Sequence, residues 1–474
     1  MDELPVSRLV RLSVLVVGIS ACAVRARHAP SSAPNTPGAA APSHAFTAQV
    51  TAAADRIAAA SDPAPTAAWE RLAELVDGFG SRITGSAALE HALAWAAAEM
   101  RKDGLDDVRL EPVNVAHWLR GRERATIVRP VTREMALLGL GGTVGTRAPI
   151  RAPLAVFDDL DALRASTASL DGAIAFVNHR MPPFDDVHDD PGYLRGVQAR
   201  LRAASEAAKR GARAVLIRSV TATSLRTPHA GALKYDDGVP KIPAAAVSIE
   251  DAELLARLAR RGPVEVELSL GARTLPDAPS ANVVGELRGR ELPDEIVLLG
   301  AHMDSWDVGP GASDDGAGCV AVMEALRLLR QAGLTPRRTI RAVLFTGEEY
   351  GLSGAKAYHE RHRSERHVAA FETDYGMAAP DAIGVGGDAG MAAMQPLLPA
   401  FGRFGIRRFR DHAFGADVEP IVGDGAAAFN LQPDGHHYFD IHHTAADTLD
   451  KIRPEDLRRN AAAIALLGWV LAER

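Results

Sequence analysis

The sequence predicts an α/β protein with a mostly parallel mixed sheet, helices on both faces of that sheet, and an insertion rich in β-strands. Three observations predict it. Beyond Pro276 short apolar runs alternate with segments of helical periodicity, and strands separated by helices pair mostly in parallel. Hydrophobic content is ordinary at 47% and aromatics are sparse at 5%, as suits an Ala-rich α/β chain. At 474 residues the chain exceeds a single core, and a long stretch of different character interrupts the alternation. The formal charge of -7 is spread along the chain, so neither nucleic acid nor a polybasic membrane patch is indicated.

In chain order, Arg8 and Arg11 precede an apolar run over 12–22 that is too short to span a membrane. It ends Ile19-Ser20-Ala21-Cys22, which resembles a bacterial lipobox, where the lipidated cysteine becomes the mature N-terminus. Residues 1–22 are therefore expected to be an export signal, with a lipid anchor at Cys22 and the chain facing the periplasm or the cell surface as a membrane lipoprotein. A plain secretory signal, leading to secretion, is the other reading. Residues 23–46, largely Pro, Ala and Ser, cannot bury enough apolar surface to fold and read as a disordered tether. Cys319 falls on the apolar face of a predicted helix and reads as a core residue, so no disulfide framework is available.

Folding is expected from near Phe46, with helical spacing that breaks at Asp62-Pro63. A glycine-bounded loop, Gly80-Ser81-Arg82-Ile83-Thr84-Gly85-Ser86, leads into a helix over 87–102, and Val108, Leu110, Val113 and Val115 suggest a strand kinked at Pro112. Residues 47–116 thus form the first part of the α/β unit. Residues 117–274 form the insertion, with strands at 125–128, 154–157, 173–177, 214–217 and 264–270 and helices at 198–210 and 249–260. Its Asp- and His-rich loop over 181–193 reads as solvated. Residues 275–474 resume the alternation. Strands are expected at 282–287, 296–299, 339–345 and 368–371, and helices at 316–330, 352–361 and 454–471. Sites in such sheets gather at the carboxyl ends of the strands.

Those ends carry the chemistry. His302-Met303-Asp304 follows the strand at 296–299, and an imidazole whose other nitrogen is held by a nearby carboxylate is a good zinc ligand. Asp314 and Asp315 stand at the mouth of the next helix. Asp315 reads as its cap, whereas Asp314, among small residues, could bridge two cations with its two oxygens. Glu348 and Glu349 follow an apolar strand and diverge in an extended segment, so that one can bind metal while the other faces a substrate water. One carboxylate of Glu372-Thr373-Asp374 would complete an inner shell. The last ligand belongs among the histidines from His412 to His443, of which His412, His436 and His437 read as loop or supporting residues.

Taken together, HMDSWDVG, GASDDGAG, RTIRAVLFTGEE and HHTAADT, with GSRITGS, LEPVNVAHW, LIRSV and DGVPKIPAA around them, resemble the M28 metallopeptidase family over nearly the whole chain beyond the tether. The resemblance implies two Zn2+ per chain. His302 and Asp374 would hold one, Glu349 and His443 the other, and Asp314 would bridge them. It further implies that Asp304 orients His302, that Glu348 is the general base, and that residues 117–274 are a protease-associated domain. Some M28 relatives carry a tyrosine immediately before the last histidine ligand. Here that residue is His442, which would serve as the oxyanion donor, with Tyr438 the weaker candidate. The implied activity is hydrolysis of dipeptides or short peptides by an exopeptidase, with a homodimer as the assembly. An aminopeptidase on longer peptides, a receptor-like binding protein of the same fold, and a single-zinc glutaminyl cyclase are the alternatives. The full ligand set favours the peptidase.

Overall fold

The computed structural model describes residues 42–61 and 67–474. The expected export signal, Cys22, most of the tether and the break at Asp62-Pro63 lie outside the described residues. Among the described residues, no helix is long and apolar enough to cross a membrane.

Two eight-stranded sheets organise the chain. The order in the larger one is Asp106–Leu119, Arg273–Leu287, Arg338–Phe345, Leu292–His302, Arg366–Glu372, Ala427–Gln432, Ala382–Val385 and Arg408–Arg410. Its centre is parallel, from Arg338–Phe345 through Leu292–His302 and Arg366–Glu372 to Ala427–Gln432. The central strands are apolar on both faces because both faces are covered. Val297, Leu299, Ala301, Ile340, Ala342 and Leu344 point into one core with the helices Ala317–Gln331 and Pro454–Glu473. Leu298, Val343 and Phe345, the alternate residues, point into a second core with Tyr358 of the helix Ser353–His362. Gly468 lets the terminal helix lie directly on the sheet, where a Cβ would meet Leu299 at 3.1 Å.

The expected elements are present, most with longer bounds. The strand expected at 296–299 runs Leu292–His302, so His302 is its last residue rather than one beyond it. Pro112 does not kink its strand: Asp106–Leu119 is continuous, because it is an edge strand and a proline there removes no needed donor. The first helix begins at His44, capped by Ser43, whose hydroxyl accepts the Phe46 N–H at 3.2 Å.

The second sheet is built entirely from the segment between Asp106–Leu119 and Arg273–Leu287, which pair antiparallel along their length and carry the chain into and out of it. Beyond the five expected strands it contains Arg133–Met135, Leu137–Gly139 and Ala244–Val247. It is seated on the larger sheet at several points. Gly141 approaches Trp306 so closely that a Cβ would lie 1.9 Å from the ring, a contact only glycine permits. The Asp- and His-rich loop is largely exposed, as expected, with Asp186, Val187 and His188 at the surface, and it also makes contacts outside the insertion: Asp186 meets His436 at 2.8 Å, Asp189 pairs with Arg410, and Phe184 stacks on His436.

One arginine knits the segment after His302 to the N-terminal loop. Arg82 is fully buried, and its guanidinium donates to the carbonyls of Met303 (2.8 Å), Gly80 (2.9 Å), Gly311 (3.0 Å) and Pro310. Every acceptor is a neutral main-chain oxygen, so burial lowers its pKa while the hydrogen bonds hold the loop in shape. Replacing Arg82 with Met would leave several buried carbonyls without donors. Arg82→Met is expected to lose about 3 kcal/mol of stability, read as a lower thermal midpoint; an unchanged midpoint would show that the loop holds itself.

Candidate metal centre

The parallel strands end together, and their ends supply the site. Met303 N–H donates to the Phe345 carbonyl at 2.8 Å and Thr373 N–H to the Gly300 carbonyl at 3.1 Å, so the segments leaving the three central strands start side by side. His302, Glu348 and Glu349, and Asp374 project from them, all buried or nearly so.

Asp314 lies at the middle. Its Oδ1 is 3.4 Å from His302 Nε2 and its Oδ2 is 3.3 Å from His443 Nε2. On the His302 side Asp374 Oδ1 approaches the same Nε2 at 3.2 Å. On the other side Glu349 Oε2 approaches His443 Nε2 at 3.0 Å. Ligands about 2.0–2.1 Å from a tetrahedral zinc stand roughly 3.3 Å from one another, and these spacings fall around that value. The donor atoms thus divide into two sets that share one carboxylate. Glu348 falls with His302 and Asp374, and His442 falls with Asp314 and His443, each group having ligand-capable atoms within 4.8 Å of one another. Glu349 Oε1 is buried with no hydrogen-bond partner, as befits an oxygen that faces a cation. The donor set therefore fits zinc.

The supports differ from simple expectation at two residues. His302 Nδ1 lies 2.9 Å from the main-chain carbonyl of Asp304, which holds the ring, while the Asp304 carboxylate is 3.8 Å away. That carboxylate accepts the N–H groups of Gly347 (2.8 Å), Glu348 (3.2 Å) and Glu349 (3.3 Å), and so fixes the turn that carries both glutamates. Asp315 does not cap the following helix. The chain leaves Gly311 through a π-turn, Ala312–Gly316, and Asp315 turns inward to accept the His302 N–H at 3.2 Å.

Asp447 and several residues of the insertion had no role in the sequence reading. Asp447 accepts the N–H of Ser313 at 2.7 Å and of Asp314 at 3.0 Å, clamping the shared carboxylate to the C-terminal loop. It stands four residues after His443 within the quoted HHTAADT, so its signal was present. From the insertion, Ala230 N–H donates to the His443 carbonyl at 2.9 Å, holding a residue whose φ of 60° is in the left-handed region. Arg200 reaches His443 Nδ1 at 3.4 Å, and Tyr193 stacks on Phe439 with centroids 4.3 Å apart. Nothing in the sequence places these beside the strand ends. His442 stacks on His443 at 3.5 Å, and Tyr438 lies 5.0 Å from His442, ring to ring. His436 and His437 sit outside the donor sets, on Asp434 and Asp440 respectively.

Comparisons with known proteins agree with this geometry. The family description "Peptidase family M28" matches residues 282–468. Carboxypeptidase Q of Bos taurus is 38% identical over 410 residues, covering 85% of each chain, and that of Homo sapiens gives the same figures. The chain belongs to peptidase family M28. The crystal structure of a peptidase M28 precursor from Shewanella amazonensis superposes with a TM-score of 0.85 at 36% identity, covering 90% of this chain and 98% of that one. A zinc aminopeptidase from Bacillus subtilis shares the fold, with a TM-score of 0.63 at 22% identity. The protein is accordingly a metallopeptidase of the M28 type.

Without a cation the M28 site is electrostatically frustrated. Burial raises Glu349 well above the carboxylate range, with Asp314 adding to it, and raises Asp374. Burial alone would depress the His302 imidazole, but Asp374 and Asp314 hold it well above the usual histidine range. His442, by contrast, is pushed down to about 4 by burial. Asp447 is pushed up to about 7 and Glu372 to about 8, in both cases chiefly by burial. Unfolded, the last two would release their protons near pH 4. Through these two carboxyls the folded chain binds more protons between about pH 4 and pH 8, a contribution to metal-free stability that falls as pH rises through that window, whereas the depressed His442 acts in the opposite sense between about pH 4 and pH 6.5. Chelator-treated protein is therefore expected to melt lower at pH 8 than at about pH 6.5, where the histidine contribution has ended, with zinc raising the midpoint most at pH 8; a metal-free midpoint that rises over that interval would contradict this.

Proposed function

We propose that the protein is a zinc-dependent exopeptidase that hydrolyses dipeptides or short peptides, with two zinc ions per chain. The observation that carries this reading is Asp314, whose two oxygens face His302 on one side and His443 on the other. His302 and Asp374 hold one ion, Glu349 and His443 the other. Zinc bound there supplies Lewis-acid chemistry, polarising a carbonyl and making water acidic enough to react near neutral pH. The similarity to carboxypeptidase Q over most of both chains supports the exopeptidase reading.

The residues of the chain then have separate tasks. Asp304 fixes the His302 ring through its carbonyl and the Gly347–Glu349 turn through its carboxylate. Glu348, in the same donor group as His302 and Asp374, accepts a proton from the attacking water as the new carbon–oxygen bond forms. It returns that proton to the leaving nitrogen as the carbon–nitrogen bond breaks, so the carboxylate ends as it began. His442, kept neutral by burial, donates an N–H to the developing oxyanion. The insertion, read as a protease-associated domain, buttresses His443. Export with a lipid anchor at Cys22, and assembly as a homodimer, complete the reading.

A panel of unblocked dipeptides and longer aminoacyl peptides, assayed with and without chelator, tests it. Chelator-sensitive cleavage of dipeptides is expected, whereas cleavage of the longer peptides alone would point to an aminopeptidase. Glu348→Gln should retain its zinc and lose about a thousandfold in kcat. Near-normal turnover by that variant would remove Glu348 from the role of base.

A further inference from the structure

The cleft beside the metal centre is walled largely by three loops. Tyr193 ends the insertion's loop over 181–193, Phe414, Gly415 and Ala416 belong to the loop after the strand Arg408–Arg410, and Tyr438 and His442 belong to the C-terminal loop. The cleft measures about 510 Å3, within the range of small-ligand pockets. A dipeptide ends inside such a space, whereas a longer peptide must leave it between the loops.

Beyond the lining, the loops are tied together by charge. Asp185 N–H donates to the Asp190 carbonyl at 2.8 Å and Asp190 N–H to the Asp185 carbonyl at 3.2 Å, so residues 185–190 form a closed tip with Val187 exposed on it. Asp189 of this tip pairs with Arg410, at the start of the second loop. Phe184 stacks on His436 of the C-terminal loop with centroids 4.1 Å apart, and Asp186 Oδ1 stands 2.8 Å from His436 Nε2. The side chains of Asp186 and His436 are exposed while Tyr193 and Tyr438 are buried, which puts these ties at the rim. Deeper in, Tyr193 on Phe439 and Thr223 on Asp440 keep the C-terminal loop attached to the insertion, so the part that the rim contacts hold is the tip.

His436 has a carboxylate at each ring nitrogen. While Nε2 meets Asp186, Nδ1 meets Asp434 Oδ1 on its own loop at 2.5 Å. A neutral imidazole has one N–H and one lone pair, and can donate to only one of the two. Both contacts together require the imidazolium. The other charged groups around it are engaged elsewhere: His437 with Asp440 at 2.9 Å, His188 with Asp185 at 2.8 Å, and Arg410 with Asp381 as well as Asp189. Asp434 and Asp186 hold the His436 imidazole above its ordinary range. Asp434 also accepts the His436 main-chain N–H at 3.1 Å. A ring that becomes neutral therefore keeps its local partner and gives up Asp186, so the tie is present at acid pH and lost as pH rises through the raised histidine value.

We propose that Asp186 and His436 form a proton-dependent latch across the rim of the cleft, and that this latch sets the length of peptide admitted. With His436 charged, the tip is held to the C-terminal loop and peptides that end within the cleft are favoured. With His436 neutral, the tip is released and longer peptides gain an exit. This rests on the dipeptidase reading and deepens it by naming what limits substrate length. An exposed ion pair shifts a population by only about fivefold, a strength suited to a rim that opens for every substrate.

The test compares kcat/KM for dialanine and hexaalanine across pH, using the zinc-loaded full chain and the variants His436→Gln and Asp186→Ala. The wild-type ratio of hexapeptide to dipeptide is expected to rise about fivefold from about pH 5.5 to about pH 8. In both variants it should stay flat, near the wild-type value at high pH. Because both peptides are read on one preparation at each pH, zinc loading and the ionisation of the metal centre cancel. Amide exchange over residues 184–190 reads the latch without turnover: it should be slower in the wild type than in His436→Gln at about pH 5.5 and equal at about pH 8. A wild-type ratio indifferent to pH, or a change that persists in both variants, overturns the length gate and leaves the dipeptidase reading intact. Equal exchange at both pH values overturns the latch itself. Hydrolysis of neither peptide overturns the dipeptidase reading and the length gate together, while exchange still decides the latch.

Discussion

Burying carboxylates without cations is among the most costly things a folded chain can do, and this chain does it repeatedly within a few ångströms. Asp304, Asp314, Asp315, Glu348, Glu349, Glu372 and Asp417 are all under a tenth exposed. The protein answers the cost in two ways. Where a carboxylate is structural, main-chain N–H groups converge on it, as at Asp304 and Asp447. Where it faces the imidazoles of His302 and His443, as at Asp314 and Glu349, the oxygens stand where a divalent cation would complete them.

The larger sheet makes this arrangement affordable in geometry. Three parallel strands, apolar on both faces and covered by helices on both, stop in register and leave their polar continuations in one place. Arg82 holds the segment beyond His302 with neutral carbonyls only, so a fixed cation is added to the neighbourhood without pairing off any carboxylate of the metal centre. The C-terminal loop closes the site, and the insertion holds that loop through Ala230, Arg200 and Tyr193. In the proposed mechanism the insertion is therefore part of the active site's frame, contributing position to His443 rather than a ligand.

Much of this was legible from the chain. His302, Glu348, Glu349 and Asp374 stand at the ends of apolar strands, and in a parallel sheet that position marks the cluster, while the choice of Asp374 over Glu372 and the division of roles between Glu348 and Glu349 rested on the family resemblance. His443 was legible only through the His-Thr-Ala-Ala-Asp-Thr motif, since about seventy residues separate it from Asp374. What failed did so for local reasons. Asp315 carries every sign of a helix cap, and only the inward turn of the π segment shows that its carboxylate serves His302 instead. The strand Ala427–Gln432 was not read, because Ala-Ala-Phe-Asn-Leu-Gln has little β propensity and is a strand by virtue of its place beside Arg366–Glu372. Tyr193, Arg200 and Ala230 gave no signal, because their role depends on how one sheet is seated against another.

The central claim is that one carboxylate joins two metal sites into a single centre. Zinc content per chain, measured by elemental analysis on the wild type and on Asp314→Asn after identical loading and buffer exchange, tests it most directly. The account predicts two zinc ions in the wild type and fewer than one in the variant, because both sites lose an oxygen at once. One zinc in the wild type, or two retained in Asp314→Asn, would contradict it.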